Sequence, residues 1–314
     1  MASCCARSSD HAPAVLRGEL RRGESMARYA TWRAGGQAKQ FYSPADREDL
    51  VAFLRTLPPQ EPLLWLGLGS NLLVRDGGFP GTVIFTRSCL LDLRRMEDGS
   101  VLAEAGVACA HVAKFCAEQG LGGAEFLAGI PGTMGGALAM NAGAFGGETW
   151  DVVSSVVTVD RLGVERERGA GDFRIGYRQA QGPEGEWFLA AKLRLTAGDT
   201  TQSRERIRQL LAQRSATQPT NMPSCGSVFR NPDGDYAARL IENSGLKGRC
   251  IGGACVSEKH ANFIVNTGAA TAADIESLIE LVRAEVAARH GVNLSTEVCI
   301  VGDKSSVRGE INSG

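Results

Sequence analysis

Histidine is nearly absent from this chain. There are four in 314 residues, widely separated, and that spacing argues against a metal centre. The nine cysteines are an odd number, scattered, without a C-x-x-C pair, and Cys4 and Cys5 are adjacent. This layout excludes a zinc site and a disulfide framework and fits a reducing compartment. Neither sign of charge is in excess: 34 Lys and Arg against 35 Asp and Glu give a formal net charge of −1. Bulk electrostatics therefore favour neither nucleic acid nor an anionic membrane. No apolar run reaches membrane-spanning length. The first residues, MASCCARSSDHAPAV, lack the basic-then-apolar layout of a signal peptide. The expectation is a cytoplasmic protein, monomeric, with no nucleic-acid partner and no membrane insertion.

Glycine is abundant. With 39 in 314 residues it stands well above the usual share of roughly 7%, so turns and close backbone approaches are expected in number. The length allows two or three domains with a sizeable core. The densest run is 125–147, EFLAGIPGTMGGALAMNAGAFGG, with Gly129, Gly132, Gly135 and Gly136 around Pro131 and Thr133, then Asn141 and Gly143. Each glycine inside a helix costs about 1 kcal/mol against alanine, so the run reads as a loop. Glycines at this density let backbone N–H groups turn inward as an anion-binding nest, suited to a phosphate or pyrophosphate. The alternative is a tightly turned buried loop without a ligand.

Along the chain, residues 1–25 read as a loose extension, helical near 14–20. Thr31-Trp32-Arg33-Ala34-Gly35-Gly36 precedes a short strand at Phe41 and Tyr42. Ser43-Pro44-Ala45-Asp46 reads as a helix start with Ser43 as cap, and Pro58-Pro59 as its stop. Residues 62–68 form an apolar strand that runs into Gly67-Leu68-Gly69-Ser70-Asn71-Leu72. A third glycine and a following helix are missing, so a Rossmann fingerprint fails, and no Gly-Lys-Ser/Thr ends either glycine loop. Strand, tight turn and strand remain, with Ser70 and Asn71 facing a ligand or, alternatively, an ordinary hairpin. Strands are expected at 83–86, 101–107, 152–159 and 187–195, and a helix around Val112 and Cys116. The polar segment between the last two strands holds Asp172-Phe173-Arg174-Ile175-Gly176-Tyr177-Arg178, which by itself reads as a solvated edge. A composition change near 197–201 places a second unit from 199 onward, opening with a basic helix at 202–215 that carries Ile207, Leu210 and Leu211 on one side. Residues 225–232 read as a polar turn into a strand. Ser227 lies in Cys225-Gly226-Ser227-Val228-Phe229-Arg230-Asn231-Pro232 without a G-x-S-x-G elbow, which weakens a serine-hydrolase reading. Thr271-Ala272-Ala273-Asp274 resembles a capping box. It opens a helix with Ile275, Leu278, Ile279, Val282 and Val286 at helical spacing, closed by Gly291. A last strand covers 298–301, and 303–314 reads as a frayed tail.

These motifs carry a family resemblance. Residues 31–36, 67–74, 129–144, 175–178, 226–232, 244–253 and 259–266 match, in order, those of the MurB family of UDP-N-acetylenolpyruvoylglucosamine reductases. The chain is similar to the shorter family type, which lacks a tyrosine-bearing insertion. It departs at Leu294-Ser295-Thr296-Glu297-Val298-Cys299, where the family usually has Pro before the Glu and Arg two positions after it, and at Arg230, where Lys is common. The resemblance implies an α+β fold. Residues 26–198 would form a two-part FAD-binding domain of the vanillyl-alcohol-oxidase (PCMH) type, split near 95. Residues 199–302 would form a smaller α+β substrate-binding domain, with 1–25 as extension and 303–314 as tail.

The resemblance further implies FAD and NADPH as cofactors and the enolpyruvyl ether of UDP-N-acetylglucosamine as substrate. Gly67, Gly69, Ser70, Asn71, Leu72, Gly129, Ile130, Pro131, Gly132, Thr133, Gly135, Gly136, Asn141 and Gly143 would hold FAD. Hydride from the flavin adds to the terminal carbon of the enol ether, and the charge that develops beside the carboxylate needs a stabiliser. Arg178 takes that role, Glu297 orients or shares it, and Ser227 gives the proton. Arg214, Asn231, Arg239 and Lys247 are candidates for the diphosphate and sugar, with no metal. Two other readings stay open: a flavin-dependent alcohol or sugar oxidase of the same fold, and a flavin- or nucleotide-binding module without catalysis.

Overall fold

In the computed structural model, which describes residues 15–305, three layers follow one another along the chain. The first contains β1 (Glu19–Ser25), β2 (Gln37–Ser43), α1 (Arg47–Thr56), β3 (Leu63–Leu66), β4 (Leu72–Val74) and β5 (Phe79–Phe85). β1, β2, β5 and β3 make one sheet in that order, with β1 antiparallel to β2 and the other neighbours parallel. The expected extension is therefore corrected: residues 19–25 are an edge strand, from Glu19 opposite Ser43 to Ser25 opposite Gln37. Of the helix expected near 14–20, Ala14 lies outside the described residues, as do Cys4 and Cys5. The α1 cap also differs. Asp46, not Ser43, accepts the Asp49 N–H through its side chain at 2.9 Å, because Pro44 and Ala45 still belong to the approach.

The second layer contains β6 (Leu93–Arg95), β7 (Val101–Glu104), α2 (Cys109–Glu118), α3 (Met134–Met140), β8 (Val153–Asp160), β9 (Glu165–Gly169), β10 (Arg174–Gly176), β11 (Gln179–Gln181) and β12 (Glu186–Leu193). β9, β8, β12, β7 and β6 form an antiparallel sheet in that order, and β10–β11 is a separate hairpin. Tyr42, Leu50, Phe53 and Ile84 of the first layer pack against Val159 and Leu189 of the second, so α1 lies between the two sheets. α3 corrects the expectation of a loop through the glycine run. Its first N–H groups are taken up by the segment after β7, Met134 to the Val107 carbonyl and Gly135 to the Ala105 carbonyl, both at 2.9 Å. A side chain on Gly135 would sit 2.9 Å from Ala105 Cβ, so the glycine that weakens the helix is what lets it dock.

α4 (Thr200–Thr217) packs on α2 and on the 125–129 turn rather than on the elements that follow it. Leu210 is buried and Ile207 partly so, whereas Leu211 is exposed, so only part of the expected apolar stripe is used. The third layer contains α5 (Ala237–Asn243), β13 (Cys250–Ile251), β14 (Ala254–Val256), β15 (Ile264–Asn266), α6 (Ala272–His290) and β16 (Cys299–Val301). No regular strand forms over 225–232; Phe229 makes a lone bridge to Thr296. Cys250 and Cys255 face each other across the β13–β14 turn and are joined by a disulfide, which corrects the expectation of unpaired cysteines. α6 has its capping box, Thr271 with Asp274, and its left-handed Gly291, and buries Ile275, Leu278, Ile279, Val282 and Val286.

The third layer is stitched to the first. β16 runs parallel to β4, with Cys299 opposite Leu72 and Val301 opposite Val74. Trp32 is fully buried among the α6 residues, and its Nε1–H donates to the Ile264 carbonyl at 2.7 Å. Asp76 accepts the Ala272 and Ala273 N–H groups at 3.1 and 2.8 Å, a cap on α6 supplied from the first layer. Arg75 grips Glu276 beside it. Asp303 is tied to Gly77 and Gly78 by backbone bonds and so is not frayed, while 306–314 lie outside the described residues.

Candidate active site

Two glycine loops meet where the first two layers touch. Between β3 and β4, Gly69 has φ +63°, and an added Cβ there would collide with the Tyr29 carbonyl; one on Gly67 would collide with Thr133 Oγ1 of the second loop. Gly129 is closed off by Phe145 and Gly135 by Ala105. These glycines are required by packing or conformation alone. Gly132 and Gly136 are different. A Cβ on Gly132 would meet only Ile130 and Ser70 Oγ, both at 3.7 Å, and one on Gly136 only Thr133 Oγ1 at 3.9 Å, all ordinary contacts. The protein's own packing does not demand glycine at either position, and both leave free space at the junction of the loops.

The donors at this junction are fewer than a continuous nest would supply. The N–H groups of Ile130, Gly132 and Gly135 already donate to the carbonyls of Leu127, Ile130 and Ala105. Those of Ser70, Asn71, Thr133 and Gly136 have no protein acceptor among the described residues. Two cavities open from the junction. A cleft of about 540 Å³ is bordered by Gly67, Ser70 and Pro131 together with Arg33, Arg87 and Arg214. A second space of about 260 Å³ is bordered by Gly67, Thr133, Gly135 and Gly136 with Trp65 and Phe188. Free N–H groups, room at two glycines and guanidiniums on one wall fit a diphosphate between two organic ends. The residues present thus suit an FAD.

A second cluster lies where the β10–β11 hairpin meets the third layer. Arg178 occupies the turn with φ +56°, a left-handed conformation that is strained for a residue with a side chain. Asn141 holds the turn by donating to the Gly176 carbonyl at 3.2 Å, and the Gly143 carbonyl accepts from Arg178 Nη2 at 3.3 Å. Arg178 Nε lies 3.0 Å from Glu297 Oε1, with side-chain exposures of 21% and 16%. The N–H vector is not aligned with that oxygen, and Nε has no hydrogen-bond partner among the described residues. The contact is therefore a charge pair rather than a directed hydrogen bond. Burial raises the Glu297 carboxyl above its ordinary pKa, against the opposing pull of the Arg178 and Arg230 guanidiniums.

Backbone pairing places Glu297. Its N–H donates to the Val228 carbonyl at 2.8 Å, and Asn71 Nδ2 donates to its carbonyl at 3.2 Å. The Phe229–Thr296 bridge goes with the first contact, and the β4–β16 register sets the second, since it lays the residues before Cys299 beside the loop before Leu72. Ser227 is half-buried between Gly226, which turns the chain with φ +73° at the wall of the larger cleft, and Val228. Arg178, Ser227 and Glu297 thus come from segments remote in sequence onto one framework that also borders the glycine junction.

Known proteins resemble this chain along most of its length. A family model for the C-terminal domain of UDP-N-acetylenolpyruvoylglucosamine reductase matches residues 218–301, and one for an FAD binding domain matches residues 38–167. The UDP-N-acetylenolpyruvoylglucosamine reductase of Alkalilimnicola ehrlichii is 64% identical over 289 residues, covering 92% of this chain and 97% of its own. That of Methylococcus capsulatus is 61% identical over 296 residues, covering 94% and 97%. The chain belongs to the UDP-N-acetylenolpyruvoylglucosamine reductase family. The crystal structure of MurB from Thermus caldophilus superposes with a TM-score of 0.78 at 31% identity, covering 91% of this chain and 99% of that one. The expected fold is the observed one: the FAD-binding layers come first and the family's C-terminal domain follows.

Within this family framework the expected site residues lie in different surroundings. Asn141 is 1% exposed, and its amide is engaged by Glu148, Gly176 and Trp150, which ties it to the Arg178 turn. Gly143 serves the same turn. The Leu72 side chain is in the core, and the Asn71 amide is committed to Glu297. Among the substrate candidates, Arg214 borders the larger cleft, where burial lowers its pKa and Gln218 accepts from its Nε at 3.1 Å. Asn231, Arg239 and Lys247 border neither cavity. Asn231 Oδ1 caps the first N–H of α5, Arg239 is 55% exposed and paired with Asp235, and Lys247 is paired with Glu242. Arg230, absent from the expected site, is half-buried with an unpartnered Nε and donates to the Arg178 carbonyl. The available signal was its place three residues after Ser227 in a motif already singled out.

Proposed function

We propose that this protein reduces the enolpyruvyl ether of UDP-N-acetylglucosamine to UDP-N-acetylmuramate, with tightly held FAD and with NADPH as electron donor. A cytoplasmic location belongs to the same reading. The observation that carries it is the largely buried Arg178–Glu297 pair, held on a strained turn and anchored beside Ser227. When bound, FAD supplies the hydride. Every remaining task falls to side chains of this chain. Arg178 presents a permanent cation to the charge that grows beside the substrate carboxylate. Glu297 holds that guanidinium in place. Ser227 delivers a proton to the carbon next to the ether oxygen, a task feasible for a weak acid because the acceptor is strongly basic. An oxidase acting on an alcohol or sugar would leave this trio without a task.

The test is an anaerobic absorbance spectrum of the purified protein. The protein should be yellow, release its flavin on denaturation, bleach with NADPH and regain colour only with the enolpyruvyl substrate. Bleaching by a simple alcohol or sugar in place of NADPH would favour the oxidase, and no bleaching by either a non-catalytic module.

The glycine junction carries its own prediction. Gly132→Val adds a side chain that meets no protein atom closer than ordinary contact at its Cβ, so the fold should survive. It fills space where a diphosphate would lie against backbone. The variant should melt like the parent apoprotein yet purify largely without flavin. Full flavin content would remove Gly132 from the cofactor site.

A further inference from the structure

Arg230 bonds both the Arg178 turn and the segment that carries Glu297. Its backbone N–H donates to the Ser295 carbonyl at 2.9 Å, within the segment that carries Glu297. Its Nη2 donates to the Arg178 carbonyl at 3.2 Å, across to the hairpin of the second layer. Its Nε is buried without a partner. The Arg178 turn is therefore held from two sides: by Asn141 on the Gly176 carbonyl, from its own layer, and by Arg230 on the Arg178 carbonyl, from the third layer. A left-handed turn at a non-glycine residue persists only when its surroundings over-determine it. Arg230 is the part of those surroundings that arrives with docking of the C-terminal domain.

We infer that Arg230 is a positioning residue that locks the Arg178 turn against the segment carrying Glu297 and places a second cation on that framework. The inference rests on the proposed function. Arg178, from the β10–β11 turn, and Arg230 are the charged groups that act on Glu297, while Asn71, from the β3–β4 loop, contributes a neutral amide. Burial pushes the Glu297 carboxyl up and the two guanidiniums pull it down. If the ionised form is the one that orients Arg178, activity is lost as pH falls through the Glu297 pKa. Removing the Arg230 charge then moves that acid limb to higher pH.

The experiment compares Arg230→Met, Arg230→Gln and Arg230→Lys with the parent holoenzyme. It reads the pH profile of kcat/KM for the enolpyruvyl substrate and an infrared titration of the Glu297 carboxyl, assigned by its loss in Glu297→Gln. Arg230→Met should raise the acid limb and the infrared midpoint by about one pH unit and lower turnover roughly 10-fold or more. Arg230→Gln retains a donor for the Arg178 carbonyl without charge. It should show the same pH shift with a smaller loss of turnover, and it carries the test if the Met variant does not fold. Arg230→Lys, which keeps the charge, should restore both readouts to near the parent values. An unshifted limb and midpoint in the Met and Gln variants would overturn the inference, as would a Lys variant shifted as far as Met. Failure of the parent protein to turn over the enolpyruvyl substrate would instead overturn the proposed function, and the infrared titration would still read the role of Arg230.

Discussion

Arg178→Lys should lower kcat by about 10²–10³, the usual loss when a preorganised stabiliser of developing charge is removed. The substitution keeps the formal charge, so the expected loss comes from geometry. The guanidinium has one nitrogen facing Glu297 Oε1 at 3.0 Å while another donates to the Gly143 carbonyl at 3.3 Å. An ammonium is a single point of charge on a flexible stem and cannot occupy both positions. The left-handed turn would remain, held by Asn141 and Arg230, with its side chain no longer fixed. Glu297 would stay buried against a looser partner, so its carboxyl would rise further. Steady-state kinetics with the enolpyruvyl substrate, after confirming normal flavin content, measure the effect. Turnover within a few-fold of the parent would mean that the charge develops elsewhere.

How much of this site is legible in the sequence depends on how local each contact is. α6 is legible because its capping box, apolar spacing and closing glycine are all short-range, and the structure has each of them. The glycine run is legible as a place of close approach but not as a helix. Met134–Met140 is helical because the segment after β7 supplies acceptors for its first N–H groups and Ala105 leaves room only for glycine, both long-range facts. Tertiary packing overrides propensity there. Residue patterns alone make 172–178 a solvated edge, and only the family resemblance draws Arg178 out of it. The pairing with Glu297 depends on β16 entering beside β4, a parallel contact between strands remote in the chain that no local pattern announces. Arg239 and Lys247 show the converse. A basic residue near the right motif reads as a ligand for phosphate, while the structure also pairs each with a nearby carboxylate, a contact the motif does not announce. The disulfide is hidden for a similar reason: Cys250 and Cys255 pair through the register of a hairpin, not through a recognisable spacing.

Ser227→Ala should separate the two halves of the reaction. In the proposed function the protein first accepts electrons from NADPH and then delivers them, with a proton, to the enolpyruvyl substrate. Only the second half consumes a proton at carbon, and the proposed function assigns that proton to Ser227. In the chain Ser227 lies between Gly226, at the wall of the larger cleft, and Val228, whose carbonyl accepts the Glu297 N–H. That framework is made by backbone atoms and by Asn262, whose carbonyl accepts from Val228 at 2.9 Å and whose side chain pairs with Phe229. Loss of the hydroxyl should therefore leave the fold and the Arg178–Glu297 pair intact. Stopped-flow absorbance of the bound flavin reads both halves in one protein. Bleaching by NADPH should proceed at a near-parent rate, and recovery with the enolpyruvyl substrate should slow by the roughly 10²–10⁴ typical of a lost general acid. Ser227→Cys retains a transferable proton at nearly the same place and should recover part of the second rate. A slowed NADPH step with a normal substrate step would make Ser227 a nicotinamide-site residue. If both steps ran at parent rates, the proton would have to come from water or another side chain, and the assignment of Ser227 would fall.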